Sequence, residues 1–224
     1  MFTPQQLEDM LKRVGNALPR EIDAYLIGGC AMGFRGLKNE TKDVDIVLLS
    51  RSDLDTLGAT LTSLKFSQDT DLEEFYLSAV MVFTQKDSRI DLFVRDVCKS
   101  LIFTDRMVKR AQLYKKLGKM NIYLVSNEDI FLFKGITDRA KDIDDCAVLL
   151  KERLADDVIL DEMTKQAQRA YWCFFVYEKL CIMEETLGLQ FPLREKVKSV
   201  CLKQKQHVPR DFLHAVKNRE TYWG

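Results

Sequence analysis

Histidine is nearly absent from this chain. His207 and His214 are the only two in 224 residues, and they lie near the C-terminus without a carboxylate-rich or cysteine ligand set beside them. That excludes a Ser-His-Asp triad and a histidine-based zinc site. Net charge is missing as well: 34 Lys and Arg balance 34 Asp and Glu, so no global basic field marks an obligate nucleic-acid binder. No G-K-[ST] closes a glycine loop and no G-x-G-x-x-G occurs, which removes a Walker loop and a dinucleotide fingerprint. The longest apolar run, AYWCFFVY at 170–177, falls far short of a bilayer crossing. The N-terminal MFTPQQLEDM has neither a charged n-region nor an apolar h-region, so neither a leader nor a membrane partner is expected. The six cysteines include no C-x-x-C pair, and a chain this long needs no disulfide staples. Reduced, buried thiols in a cytoplasmic protein are the expectation.

What is present is enough apolar material, 46% of residues, for one sizeable core or for a domain with an appendage. Leu7, Met10, Leu11, Val14 and Leu18 recur at helical spacing and predict a first helix over 4–17. AYLI at 24–27 reads as a short strand ending at Gly28-Gly29, and CAMGFRG as a short helix closing near Gly36. Val44 to Leu49 is apolar on both pleat faces, as a central strand covered on both sides would be. Ser52 can cap a helix running to about 64; EFYLSAVMVFTQ and RIDLFV read as two strands around KDS; NIYLV is the last strand. From Ser126 onward the pattern is helical, opening on a Ser-x-x-Asp capping signal. The expected fold class is α/β (α+β), a mixed β-sheet core flanked by helices over 1–155, followed by a helical C-terminal region over 156–224.

Two carboxylates stand at the mouth of the buried strand. Asp43 and Asp45, two residues apart, point to the same face roughly 6.6 Å apart along it. Val47 and Leu49 continue that face inward, so the acids occupy its solvent end, where a hard cation such as Mg²⁺ could be held. Upstream, Gly28 and Gly29 sit where a strand turns into a helix, and their bare backbone N–H groups can approach an anion such as phosphate. Asp91 lies in another short apolar strand. It completes a three-acid cluster if that strand neighbours the first, or else it pairs with Arg89, which shares its pleat face. Three acids, a cation and a polyphosphate point to phosphoryl or nucleotidyl transfer. Cys30, beside the glycines, reads as a packing residue.

The run I-G-G-x-A-x-x-x-x-G-x-x-x-x-T-K-D-x-D-I, filled by Ile27 to Ile46, resembles the nucleotidyltransferase superfamily related to DNA polymerase β. Within it the likeness is to the abortive-infection-type toxins of bacteria and archaea. Lys134, Arg139, Asp142 and Asp145 match that group's K-x4-R-x2-D-x2-D helix. The resemblance implies that Gly28, Gly29, Thr41 and Lys134 bind a nucleoside triphosphate. It implies that Asp43 and Asp45 bind Mg²⁺ or Mn²⁺, with Asp91 as third ligand and aid to the attacking hydroxyl. It also implies an RNA (tRNA) or protein acceptor and a cognate antitoxin. A small-molecule nucleotidyltransferase of the antibiotic-modifying kind, or an inactive binding module, is the alternative.

Read from its residues alone, the second block is a helix with Ala140, Ile143, Ala147, Leu150 and Leu154 facing a core, and Lys134, Asp138, Lys141 and Asp145 spaced as a solvated ladder on another face. The aromatic run RAYWCFFVYEKLCIM reads as a buried helix, or else as a partner surface. Charge is unevenly spread. Residues 163–224 carry 11 Lys and Arg against 6 Asp and Glu, and 106–120 hold Arg106, Lys109, Arg110, Lys115, Lys116 and Lys119 with no acid among them. Such patches suit an RNA backbone, or are simply solvated helix faces.

Overall fold

The computed structural model describes residues 2–70, 81–86, 88–97, 101–137, 139, 141–166 and 172–204. His207, His214, Asp87, Cys98, Asp138, Ala140 and the first half of the expected strand at 74–85 lie outside the described residues. The chain divides into two compact units, Met1–Ser126 and Asn127–Gly224. The division falls well before the expected boundary at 155, because the two helices that follow Ser126 pack with later helices.

The first unit opens with α1 (Pro4–Ala17), started by a capping box: Thr3 Oγ1 accepts from Gln6 N at 3.3 Å, and Gln6 Oε1 accepts from Thr3 N at 2.9 Å. Leu7, Met10, Leu11 and Val14 bury its inner face, as their spacing predicts. β1 (Ile22–Ile27), α2 (Gly28–Phe34), β2 (Asp43–Leu48) and α3 (Arg51–Ser63) follow. The cap of α3 is Ser50, whose Oγ accepts from Asp53 N at 3.1 Å; Ser52 lies inside the first turn, where it accepts from Arg20. Then come β3 (Ser67–Gln68), β4 (Met81–Gln85), β5 (Ser88–Val94), β6 (Asp96–Val97), β7 (Leu101–Ile102), α4 (Asp105–Arg110), β8 (Gln112–Leu117) and β9 (Met120–Leu124).

These strands form one mixed sheet in the order β3-β4-β5-β2-β1-β9-β8, with β6 and β7 attached to β5. β2 pairs in parallel with β5 and antiparallel with β1, and β1 pairs in parallel with β9. The centre of the sheet is therefore β2, and its Val44, Ile46, Val47 and Leu48 are all buried. β8 ends the strand order and is exposed from Gln112 to Lys116. Its lysines are paired rather than free: Lys115 Nζ donates to Glu8 at 2.5 Å, Lys116 to Glu21, and Lys119, in the turn, to the Pro19 carbonyl at 2.9 Å.

The second unit is helical: α5 (Asn127–Gly135), α6 (Lys141–Lys151), α7 (Asp156–Lys165), α8 (Trp172–Leu187) and α9 (Leu193–Lys203). α8 is the aromatic helix, and Cys173, Phe174, Val176, Tyr177, Leu180 and Met183 are buried in it. Gly135 brings α5 against α8, since a Cβ there would stand 3.3 Å from Val176. The five described cysteines, Cys30, Cys146, Cys173, Cys181 and Cys201, are unbridged and buried. Among the described residues no helix is long and apolar enough to cross a membrane.

Candidate functional site

Strand register assembles the site on the sheet of the first unit. Asp45 is paired with Ile27 on one side and Asp91 on the other, and Asp43 is paired with Arg89. Paired residues on neighbouring strands share a face about 4.8 Å apart. Asp43, Asp45, Arg89 and Asp91 therefore form a two-by-two patch at one end of β2 and β5, with Val47 buried further along the same face. Asp43 and Asp45 are part-exposed, whereas Asp91 retains 7% of its surface.

Asp91 is clasped by its strand neighbour. Arg89 Nε donates to Asp91 Oδ1 and Nη2 to Oδ2, both at 2.6 Å, with the two side chains 18% and 10% exposed. This is the fork geometry of a strong guanidinium–carboxylate pair. The Asp91 strand does neighbour that of Asp43 and Asp45, and Asp91 also pairs with Arg89. Asp91 shares the face of Asp43 and Asp45 on the neighbouring strand, while among the described residues no three His, Cys, Asp or Glu side chains gather so as to hold a metal ion.

The glycine pair meets the acids directly. Gly28 has φ +62°, and a Cβ built on it would stand 2.5 Å from Asp45 Oδ2; one on Gly29 would stand 2.8 Å from Thr41 Oγ1. Only a residue without a side chain lets the chain turn here while a carboxylate lies against it. Thr41 Oγ1 donates to the Asp43 carbonyl at 3.0 Å, and the Thr41 backbone is bridged to Phe2 in both directions, at 2.7 and 3.0 Å. Gly28, Gly29, Thr41, Asp43 and Asp45 are thus brought together as expected. α2 has only seven residues, so its dipole is modest and a nearby side-chain charge matters more. The Lys38 side chain runs beside this turn. Its Cδ lies 3.8 Å from the position a Gly29 Cβ would take. Sequence reasoning passed over Lys38 because nothing in a connecting loop fixes where a lysine will lie.

Cys30 Sγ donates to the Ile27 carbonyl at 3.0 Å, and burial, with the Asp45 charge adding to it, pushes the thiol up to about 12. It is a packing residue, not a nucleophile.

The K-x4-R-x2-D-x2-D residues meet within the second unit. Lys134 Nζ donates to Asp142 Oδ1 at 2.8 Å and to Asp145 Oδ2 at 2.5 Å; Asp142 Oδ2 also accepts from Thr137 Oγ1 at 2.5 Å and Arg139 Nε at 2.9 Å. Lys134 is 5% exposed and Asp142 fully buried. Burial disfavours both charges, yet the ion pairs outweigh it: Lys134 is held above the usual lysine range and Asp142 down at about 2. The expected solvated ladder and aliphatic stripe are both corrected. In α6 the buried face is Asp142, Asp145, Cys146 and Leu149, while Ile143, Ala147 and Leu150 are half-buried. Lys134 draws the acids inward, and helical spacing then turns the other stripe partly out. The ammonium expected at a triphosphate is engaged in this cluster.

No protein-family model matches the sequence, and no curated protein matches it. Among solved structures, JHP933 from Helicobacter pylori is 13% identical over 95% of each chain, with a TM-score of 0.41. A candidate nucleotidyltransferase from H. pylori is 14% identical, covering 99% of this chain and 100% of that one, with a TM-score of 0.42. Neither likeness is close enough to assign a function.

Proposed function

We propose that the chain is a nucleotidyltransferase that binds a nucleoside triphosphate in its first unit and moves the nucleoside monophosphate to an acceptor hydroxyl. One observation carries this reading: the Gly28 turn lies directly on the Asp45 carboxylate, with Asp43 beside it, so a surface bare enough for a phosphate adjoins two hard oxygen donors. Asp43 and Asp45 suit Mg²⁺ or Mn²⁺ as ligands, because both are part-exposed carboxylates on one pleat face at a glycine cradle. Such an ion, when bound, neutralises phosphate charge.

The chain's own groups do the rest. Backbone N–H groups at Gly28 and Gly29 receive phosphate oxygens, Thr41 braces the loop behind them, and Lys38 offsets charge on the departing pyrophosphate. The acceptor oxygen forms a bond to the α-phosphorus as the α–β anhydride bond breaks; pyrophosphate leaves and the hydroxyl proton passes to solvent. Asp91, beside Asp45 on the neighbouring strand and held by Arg89, is the third acid proposed to assist the attacking hydroxyl. An RNA end as acceptor rests on the basic segment 106–120. There phosphate must displace Glu8 and Glu21 from Lys115 and Lys116, ion pairs that solvent and salt screen.

Incubation with each α-labelled nucleoside triphosphate and Mg²⁺, with and without tRNA, tests the proposal. Label should transfer from at least one nucleotide, and Asp45→Asn should abolish transfer while the thermal unfolding transition persists. Absence of nucleotide binding in the wild type, or full transfer by Asp45→Asn, refutes it.

A further inference from the structure

β8 closes the strand order on one side: it pairs with β9, no other strand pairs with it among the described residues, and Gln112 to Lys116 are all exposed. Outside the bulge between Leu113 and Lys115, alternate residues of such a strand turn their N–H and C=O groups away from β9 and toward solvent. Two of the four exposed large apolar side chains among the described residues, Leu113 at 59% and Tyr114 at 40%, stand side by side on this edge. We propose that β8 is a docking edge for an extended acidic segment of a partner protein, which joins the sheet as a further strand. The inference does not depend on the nucleotidyl-transfer reading.

The register gives each face of the edge one apolar group and one ammonium. Leu113 is paired with Tyr123 and Lys116 with Asn121, so these two share a face, while Lys115, paired with Ile122, lies on the other. There Lys115 reaches Glu8 of α1, and the Tyr114 ring leans on Phe34 of α2 with centroids 4.8 Å apart. A strand added to an open edge gains main-chain hydrogen bonds, and its alternating side chains supply the specificity. Here they would meet apolar surface and positive charge on both faces. Each ammonium has three N–H groups, of which Glu8 and Glu21 engage one apiece, so a further carboxylate oxygen can join without displacing them. From Arg106 to Lys119 the chain holds six basic residues and no acid. A second copy of this chain is therefore the disfavoured occupant, because self-pairing sets one lysine-bearing edge against another and like charges across a strand pair repel. An RNA strand would use the ammoniums alone. The outward peptide groups and the aliphatic Leu113 favour a peptide.

The probe is a short labelled peptide alternating valine and glutamate, added to the full chain and followed by fluorescence anisotropy and by amide hydrogen exchange. Binding should saturate and slow exchange at 112–116. A peptide with lysine in place of glutamate should bind about tenfold more weakly or worse. Leu113→Lys, a change at a side chain already more than half exposed, should weaken the glutamate peptide by a similar factor while thermal unfolding stays as in the wild type. Lys115→Gln/Lys116→Gln is the second variant, and it should remove most of the salt dependence of peptide binding. Unchanged exchange at 112–116 with the peptide present overturns the proposal, as does equal binding of the two peptides. Single-stranded RNA that slows exchange there where the peptide does not makes β8 a nucleic-acid surface and overturns it too. So does a wild-type dimer in sedimentation whose β8 amides are already protected, since the edge then belongs to a second copy.

Discussion

A methyl group at position 28 has nowhere to go: it would enter a left-handed backbone conformation and meet the Asp45 carboxylate at 2.5 Å. Gly28→Ala should therefore lower stability by about 1–2 kcal/mol, the usual penalty for a side chain in that conformation. It should also push Asp45 off its position, so that Mn²⁺ affinity falls more than denaturant resistance does. Titration and urea unfolding of the same variant check both halves. If stability drops and metal affinity does not, Gly28 is a turn residue only. Asp91 belongs at this scale too. A sequence gives two neighbours two apart on a strand, but whether the acid points to its arginine or to another acid is a competition among charges that no spacing resolves.

At the level of elements, α5 and α6 are joined by one lysine. Replacing Lys134 with methionine leaves Asp142 and Asp145 buried without their ammonium, and breaking such a pair costs about 3–5 kcal/mol. Lys134→Met should show that loss in chemical denaturation, and Lys134→Arg should recover part of it. β8 makes a different kind of prediction. If RNA is the acceptor, Lys115→Glu/Lys116→Glu should reduce label transfer to RNA and flatten its salt dependence without changing nucleotide affinity. Equal transfer would free the basic segment from any acceptor role. Much of the first unit was legible. α1, β1, β2, β5 and β9 follow from apolar period, and Gly28, Gly29, Thr41, Asp43 and Asp45 are together because the strand–turn–helix–strand order brings them there. β8 was not legible, since a strand exposed over five of its six residues carries no buried alternation. Nor was the buried face of α6, because a lysine eight and eleven residues upstream of Asp142 and Asp145 decides it.

For the whole molecule, the Lys134 cluster of the second unit contributes to the acid limb of stability. Asp142 titrates at about 2 in the folded chain against an ordinary 3.8, so unfolding takes up protons as the pH falls. Its contribution is complete above about pH 4 and disappears as pH drops through about 2; Lys134, held above the usual lysine range, contributes below its ordinary pKa and loses that contribution only in strong alkali. Unfolding free energies measured from pH 5 to pH 2 should decline, and the Lys134→Met variant should show a shallower decline. The buried thiols turn the same structure into a clock. A sulfhydryl reagent cannot reach them until the chain around them opens, and burial also keeps Cys30 and Cys146 protonated, each near 12. Cys30 then times openings of the first unit, and Cys146, Cys173, Cys181 and Cys201 those of the second. Followed by mass spectrometry peptide by peptide, alkylation of Lys134→Met should accelerate at those four sulfurs and keep its wild-type pace at Cys30.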